Sequence, residues 1–208
     1  MLNLDTLIIN FDKGLRTLFA PAQTARPIPG IDLPEAGLGD QEKKLAGALM
    51  RVNHSGEICA QALYQGQALT AHDPATQKAL ELAAHEETEH LAWCESRIQA
   101  LGSHKSVLNP LLYTGSLAMG VVAGTLGDKW SLGFLAETEH QVGQHLEGHL
   151  QRLPSQDEKS HAVLSQMQQD EAKHAMTALQ QGGAELPAPV KLAMKLSAKI
   201  MTKTTLWV

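Results

Sequence analysis

Apolar residues recur at intervals of three and four along most of this chain, and no stretch alternates with period two for long, so the pattern predicts an all-α protein. In the opening stretch, MLNLDTLIINFDKGLRTLF, the positions Leu4, Leu7, Ile8, Phe11, Leu15, Leu18 and Phe19 form one helical face. That stretch lacks a basic start, Asp5 and Asp12 interrupt it, and no small-residue cleavage site follows, so it reads as an amphipathic helix rather than a signal peptide. Such a helix is expected to dock or lie on something apolar. Residues 21–38 carry four of the nine prolines and two glycines and read as an extended linker.

Beyond the linker the pattern predicts a helix from Asp40, its cap, to about residue 70, broken by His72-Asp73-Pro74. Further helices are predicted over 75–101, closed by Gly102, over the small and apolar stretch 108–127, and over 130–153, stopped by Pro154. One over about 155–181 ends at Gly182-Gly183, and a last one follows Pro187 and Pro189. The 208 residues are 43% apolar and 19% charged, which suits one domain over 1–208 with a substantial core. Residues 1–38 and 187–208 are its terminal appendages. A formal net charge of -5 gives no reason to expect nucleic acid as a partner. Cys59 and Cys94 form neither a CxxC nor a disulfide framework, which points to a reducing compartment.

One pattern of polar residues occurs twice. Glu57 is followed thirty residues later by Glu87-x-x-His90, and Glu139 thirty-two residues later by Glu171-x-x-His174. Residues at i and i+3 share a helix face, so each Glu-x-x-His can chelate. A single such pair is most often a solvated surface feature. Two of them, each with a partner Glu on a preceding helix, are the ligand set of di-iron and di-manganese carboxylate bundles of the ferritin-like type. The short spacings suit antiparallel helix pairs, each helix roughly 30 Å long at 1.5 Å per residue. The 49 residues from His90 to Glu139 require the single long crossover of that fold.

Glu87 and Glu171 fall to the bridging role, with Glu57 and His90 completing one metal and Glu139 and His174 the other. Four carboxylates balance two divalent cations. One nitrogen and several oxygens per metal suit iron or manganese better than zinc. Reaction of the reduced pair with O₂ is the chemistry expected. The remaining acids and histidines of HEETEH (85–90) and ETEH (137–140) read as solvated or as supports behind the ligands; His145, His149 and His161 receive no role.

RVNHSGE (51–57), HEETEHLAW (85–93), AETEHQVGQHL (136–146) and DEAKH (170–174), with LDTLIINFDKGLRTL at the start, resemble the demethoxyubiquinone hydroxylases of ubiquinone biosynthesis, the bacterial branch most closely. The resemblance covers nearly the whole chain. It implies a di-iron monooxygenase that uses O₂ to hydroxylate the ring of 2-polyprenyl-3-methyl-6-methoxy-1,4-benzoquinol. It implies two iron ions held by Glu57, Glu87, His90, Glu139, Glu171 and His174, and partner proteins of the same pathway; it names no catalytic residue beyond the ligands. A ferritin- or rubrerythrin-like iron oxidation or storage protein is the alternative, although the Cys-rich iron domain usual in rubrerythrins is absent.

A polyprenyl quinol resides in the bilayer. Residues 111–127 carry no charge, but seventeen residues barely reach the ~17–25 needed to span, so interfacial contact or bundle packing is expected of them. Near the C-terminus Lys191, Lys195, Lys199 and Lys203 recur every fourth residue beside Leu192, Leu196 and Ile200. That is a cationic amphipathic helix, suited either to an anionic membrane surface or to capping the bundle with a solvated lysine face, and access to a bilayer quinol favours the membrane. The expected location is peripheral, on the cytoplasmic face of the cell membrane.

Overall fold

A computed structural model describes residues 4–208, and among these the regular structure is entirely helical. The helices are α1 (Leu4–Phe19), α2 (Asp40–Thr70), α3 (Pro74–Ala100), α4 (Asn109–Thr125), α5 (Asp128–Leu150), α6 (Glu158–Gln180) and α7 (Ala188–Thr205). Residues 1–3 of the N-terminal stretch lie outside the described residues.

Boundaries follow local chemistry. The N-cap of α2 is Gly39 rather than Asp40, which is already helical, and Glu42 reaches back to accept the Gly39 N–H at 2.9 Å. Pro74 opens α3 at the position where a missing N–H costs nothing, behind an Asp73 side chain that accepts from Thr76 N. Asp157 caps α6 by accepting from Ser160 N at 3.2 Å, which starts that helix later than Pro154 alone suggests. Gly182, at φ +98°, terminates α6 in a conformation that a side chain would resist.

Helices α2 and α3 form one antiparallel hairpin and α5 and α6 the other, and the two pack together through α2 with α5 and α3 with α6. The connection between them contains α4, which lies along the outside of α2. Glycines permit that close approach: a Cβ on Gly120 or Gly66 would collide with the backbone of the opposite helix. Leu111, Met119, Val122 and Leu126 on the far side of α4 are exposed. No described helix is long and apolar enough to cross a membrane.

The bundle interior holds two apolar clusters. One gathers Leu49, Met50, Trp93, Cys94, Leu146, Leu164 and Met167; the other gathers Leu63, Tyr64, Leu80, Leu132 and Leu135. On each of the four bundle helices the Glu of the duplicated motif falls between the residues given to the two clusters. A polar layer therefore separates two dry ones.

Helix α1 departs from the simplest expectation. Its apolar residues Leu4, Leu7, Ile8, Phe11, Leu15 and Phe19 face outward, and only Leu18 joins a packed cluster, with Ile58, Leu91 and Tyr113. The docking side is small and polar. Tyr113 fills the space above Gly14, Thr17 donates to Gln61 at 2.5 Å, and Gln65 donates to Asn10.

Candidate metal centre

Glu57, Glu87, His90, Glu139 and Glu171 are all buried and His174 is 11% exposed at its side chain, so four bundle helices deliver six ionisable groups to one interior volume. Ligand atoms of Glu57, Glu87, His90 and Glu171 lie within 4.8 Å of one another, as do those of Glu87, Glu139, Glu171 and His174. The two quartets share Glu87 and Glu171. Helical spacing places each Glu-x-x-His pair on one face, and the packing of the two hairpins brings the pairs together.

Both imidazoles turn Nδ1 inward. His90 Nδ1 stands 3.0 Å from Glu87 Oε2 and 3.1 Å from Glu171 Oε1. His174 Nδ1 stands 3.2 Å from Glu171 Oε2 and 3.5 Å from Glu139 Oε1. Their outer nitrogens meet carboxylates that are not in the repeat. His90 Nε2 is 3.4 Å from Asp170 Oδ2, and His174 Nε2 pairs with Glu86. A carboxylate on the outer nitrogen fixes ring orientation and strengthens the inner nitrogen as a donor to metal.

Charge decides what this cluster can hold. An unpaired buried carboxylate costs several kcal/mol, so four of them in one layer require compensating positive charge. Burial, aided by the charges of Glu87 and Glu171, pushes Glu57 well above the usual carboxylate range. Glu139 is raised in the same way, by burial and by Glu171. Burial disfavours charge on Glu171 also, but the His174 hydrogen bond and the adjacent His90 imidazole outweigh it and hold that carboxyl at about 2. On the histidines burial works against the cation and is overcome: Glu139 and Glu171 bring His174 up to about 12, and Asp170, Glu171 and Glu87 raise His90. Protons thus supply the positive charge that the site demands. Glu87 Oε1 and Glu171 Oε1 are buried and still accept no hydrogen bond, although each lies within 4 Å of a histidine nitrogen. Two oxygens without donors, four carboxylates and two inward nitrogens suit a pair of divalent cations.

Some contributors escape the repeat. Tyr64, one turn past Gln61 on the Glu57 stripe, donates its hydroxyl to Glu139 Oε1 at 2.6 Å from full burial. Asp170 is clamped by Arg26 at 2.8 Å, Lys173 at 3.1 Å and Gln166 at 3.0 Å. Arg26 comes from the proline-rich stretch, pairs with Glu89 as well, and lies 4.7 Å over the Trp93 ring. Glu86 and Glu89 of HEETEH therefore stand behind the cluster, while His85 and His140 are exposed. His149 meets Asn53 Oδ1 through Nδ1 at 2.8 Å and packs edge-on to His145 at 3.9 Å.

A helical bundle with paired hairpins, one long crossover and an interior Glu/His cluster belongs to the ferritin-like class of carboxylate bundles. Comparison with known proteins narrows this. Residues 44–205 match the family described as Ubiquinone biosynthesis protein COQ7. The chain is 65% identical to the 3-demethoxyubiquinol 3-hydroxylase of Nitrosospira multiformis and 64% identical to that of Nitrosomonas europaea, over 208 residues and the whole of each chain. It is 64% identical to the enzyme of the same name from Laribacter hongkongensis over 202 residues, 97% of this chain and 98% of that one. The chain belongs to the ubiquinone biosynthesis COQ7 family.

Proposed function

We propose that this chain is a di-iron monooxygenase of ubiquinone biosynthesis, hydroxylating the ring of 2-polyprenyl-3-methyl-6-methoxy-1,4-benzoquinol with O₂ at a cytoplasmic membrane surface. The observation that carries the reading is the pair of overlapping quartets sharing Glu87 and Glu171, in a chain alike over its full length to enzymes named as 3-demethoxyubiquinol 3-hydroxylases. Oxygen-rich ligation with one imidazole per metal favours iron over zinc.

Glu57, Glu87, His90 and Glu171 would hold one ion and Glu87, Glu139, Glu171 and His174 the other. When bound, a reduced iron pair supplies the two electrons with which O₂ and two protons yield a ring hydroxyl and water. The chain's own work is positional. Asp170 and Glu86 hold the outer imidazole nitrogens and so keep both Nδ1 atoms inward. Tyr64 restrains Glu139. Ile58, Ala62 and Leu91 pack together as apolar groups on the α2–α3 side.

The membrane assignment is supported by surface chemistry. Leu192, Leu196 and Ile200 of α7 are exposed rather than packed on the bundle, as a capping helix would have them, and Trp207 is 80% exposed. Lys191 turns back to pair with Glu137 and Glu185, while Lys195, Lys199 and Lys203 make no ion pair among the described residues. The outward apolar face of α1 adds a second contact.

Incubating the iron-loaded protein with the polyprenyl quinol, a reductant and O₂, and following the ring by mass spectrometry, tests the reading. Gain of one oxygen on the ring is expected. Iron uptake and oxidation without any hydroxylated product would favour the storage alternative.

A further inference from the structure

A metal pair that gives electrons to O₂ must be re-reduced from outside after each cycle. Five of the six ligands are buried, so an incoming electron has to cross protein to reach them. One aromatic side chain stands between the surface and a ligand. Trp93 of α3 is 1% exposed, and its ring centroid lies 5.2 Å from that of His90 at a tilt of 49°. His90 in turn aims Nδ1 at Glu87 and Glu171, so indole, imidazole and carboxylate cluster follow one another without a gap.

The outer side of the indole is one side chain from solvent. Its ring helps to wall a cavity of about 480 Å³ formed with residues 26–33 and Gln166. Its Nε1 donates to Thr24 Oγ1 at 3.2 Å, and the guanidinium of Arg26, a side chain 39% exposed, lies 4.7 Å over the ring. No other aromatic residue near the cluster is placed in this way. Trp130 and Trp207 are exposed on the outside of the bundle, and Tyr64 touches Glu139 but has no outer side, being fully buried. The remaining approach is past His174, whose outer nitrogen meets the half-exposed Glu86. Negative charge there repels an anionic reductant, whereas Arg26 presents a cation.

Arg26 also decides in which direction the indole can work. A cation over an aromatic face is attracted by the electron density of the ring and opposes removal of an electron from it. Trp93 is thus suited to pass an electron inward while resisting loss of its own. We propose that Trp93 is the electron path into the metal centre: an anionic one-electron donor outside residues 24–33 delivers through the Trp93 indole and the His90 imidazole to the ion held with His90, and Arg26 keeps the indole from oxidation. Two such steps return an oxidised pair of ions to the reduced state. The donor loses two electrons, and no bond of the protein forms or breaks. The inference rests on the metal centre of the hydroxylase reading and adds how that centre is re-reduced.

The test uses the full chain loaded with iron and oxidised in air, without quinol, so that no quinone can carry the electrons. Dithionite is mixed in anaerobically, and the loss of near-ultraviolet absorption of the oxidised iron is timed. Trp93→Met, whose flexible side chain fills irregular core space, is expected to lose most of the wild-type rate with iron content and helical circular dichroism unchanged. Trp93→Phe should retain more of the rate, since a ring remains, and Trp130→Met should retain all of it. Wild-type rates in both folded, iron-loaded variants at position 93 overturn the proposal and move electron entry to the His174 edge. Arg26→Gln leaves the indole in place and covers the case in which neither of those variants folds. Cycled between dithionite and O₂ in the presence of catalase, Arg26→Gln should gain oxygen on Trp93 by peptide mass spectrometry where the wild type does not. An unmodified Trp93 in Arg26→Gln, after cycling that consumes as much O₂ as the wild type, equally overturns the proposal. The two readings fail separately: a wild type that binds no iron refutes the metal centre, whereas an iron-loaded, hydroxylating wild type with unaffected variants refutes only the path.

Discussion

Asp170 Oδ2 lies 3.4 Å from His90 Nε2, so a carboxylate of α6 supports from behind an imidazole of α3 whose inner nitrogen faces Glu87 and Glu171. Asp170 is held in turn by Arg26, the one arginine of the proline-rich stretch. Asp170→Asn is expected to lower affinity for the metal held with His90 about 10- to 100-fold, the usual effect of losing a supporting carboxylate. Arg26→Ala should act in the same direction and more weakly. Chelator competition reads both, and an Arg26→Ala protein that binds two metals as tightly as wild type would dissociate the proline-rich stretch from the centre.

Shared and unshared ligands predict different stoichiometries. Glu171→Ala removes a group from both quartets and should abolish hydroxylation while the bundle stays folded. Glu57→Ala removes a group from one quartet only and should leave about one metal per chain. Metal analysis beside circular dichroism checks this, and full turnover by Glu171→Ala would refute the ligand assignment.

The contact of α4 on α2 has no room for a side chain at Gly120, where a Cβ would meet the Leu63 carbonyl. Because backbone rather than a flexible side chain must yield, Gly120→Ala should cost about 3 kcal/mol, the upper part of the range for overpacking. Gly115, with nothing within 4 Å of its position, is the control on the same helix. Urea midpoints of the two alanine variants should differ accordingly.

Burial holds His149 down to about 3 and His145 to about 4, against an ordinary 6.5. The unfolded chain therefore accepts protons on these rings that the folded chain refuses. Their neutral burial costs nothing above pH 6.5, and stability falls as the pH drops from there toward 3–4. His149→Gln, which can still donate to Asn53, should flatten part of that decline, seen as a smaller shift in urea midpoint between about pH 7 and about pH 5.

For the tail, Lys195→Glu, Lys199→Glu and Lys203→Glu together should release the protein from vesicles containing anionic phospholipid, since each lysine near such a surface contributes on the order of 1 kcal/mol. Lys191→Glu alone should have little effect, because its ammonium already pairs with Glu137 and Glu185. Sedimentation with vesicles distinguishes the two; equal retention of the triple variant would remove α7 from the membrane contact.

Much of this was legible in the chain because helices convert spacing into direction. Glu87 and His90, or Glu171 and His174, must share a face wherever their helices lie, so the composition of the cluster could be read without knowing the packing. What needed the fold was contact between helices. Asp170 sits one position before Glu171, which turns it about 100° away, and only the placement of α3 reveals that it meets His90. Arg26 lies where prolines suppress periodicity, so no pattern could assign it a partner. In α1 the spacing identified the apolar side correctly, but amphipathicity does not say what that side faces. It faces out, because Gly14 and the polar groups of Asn10 and Thr17 fit the bundle surface better.

Neither copy of the repeat closes a site by itself. Glu57, Glu87 and His90 lack a fourth member until Glu171 arrives from the other hairpin, and Glu139, Glu171 and His174 wait in the same way for Glu87. A half-length chain carrying one repeat would complete a quartet only by pairing with a second such chain about a twofold axis. The long crossover through α4 can thus be regarded as a covalent tether that makes a two-chain site permanent.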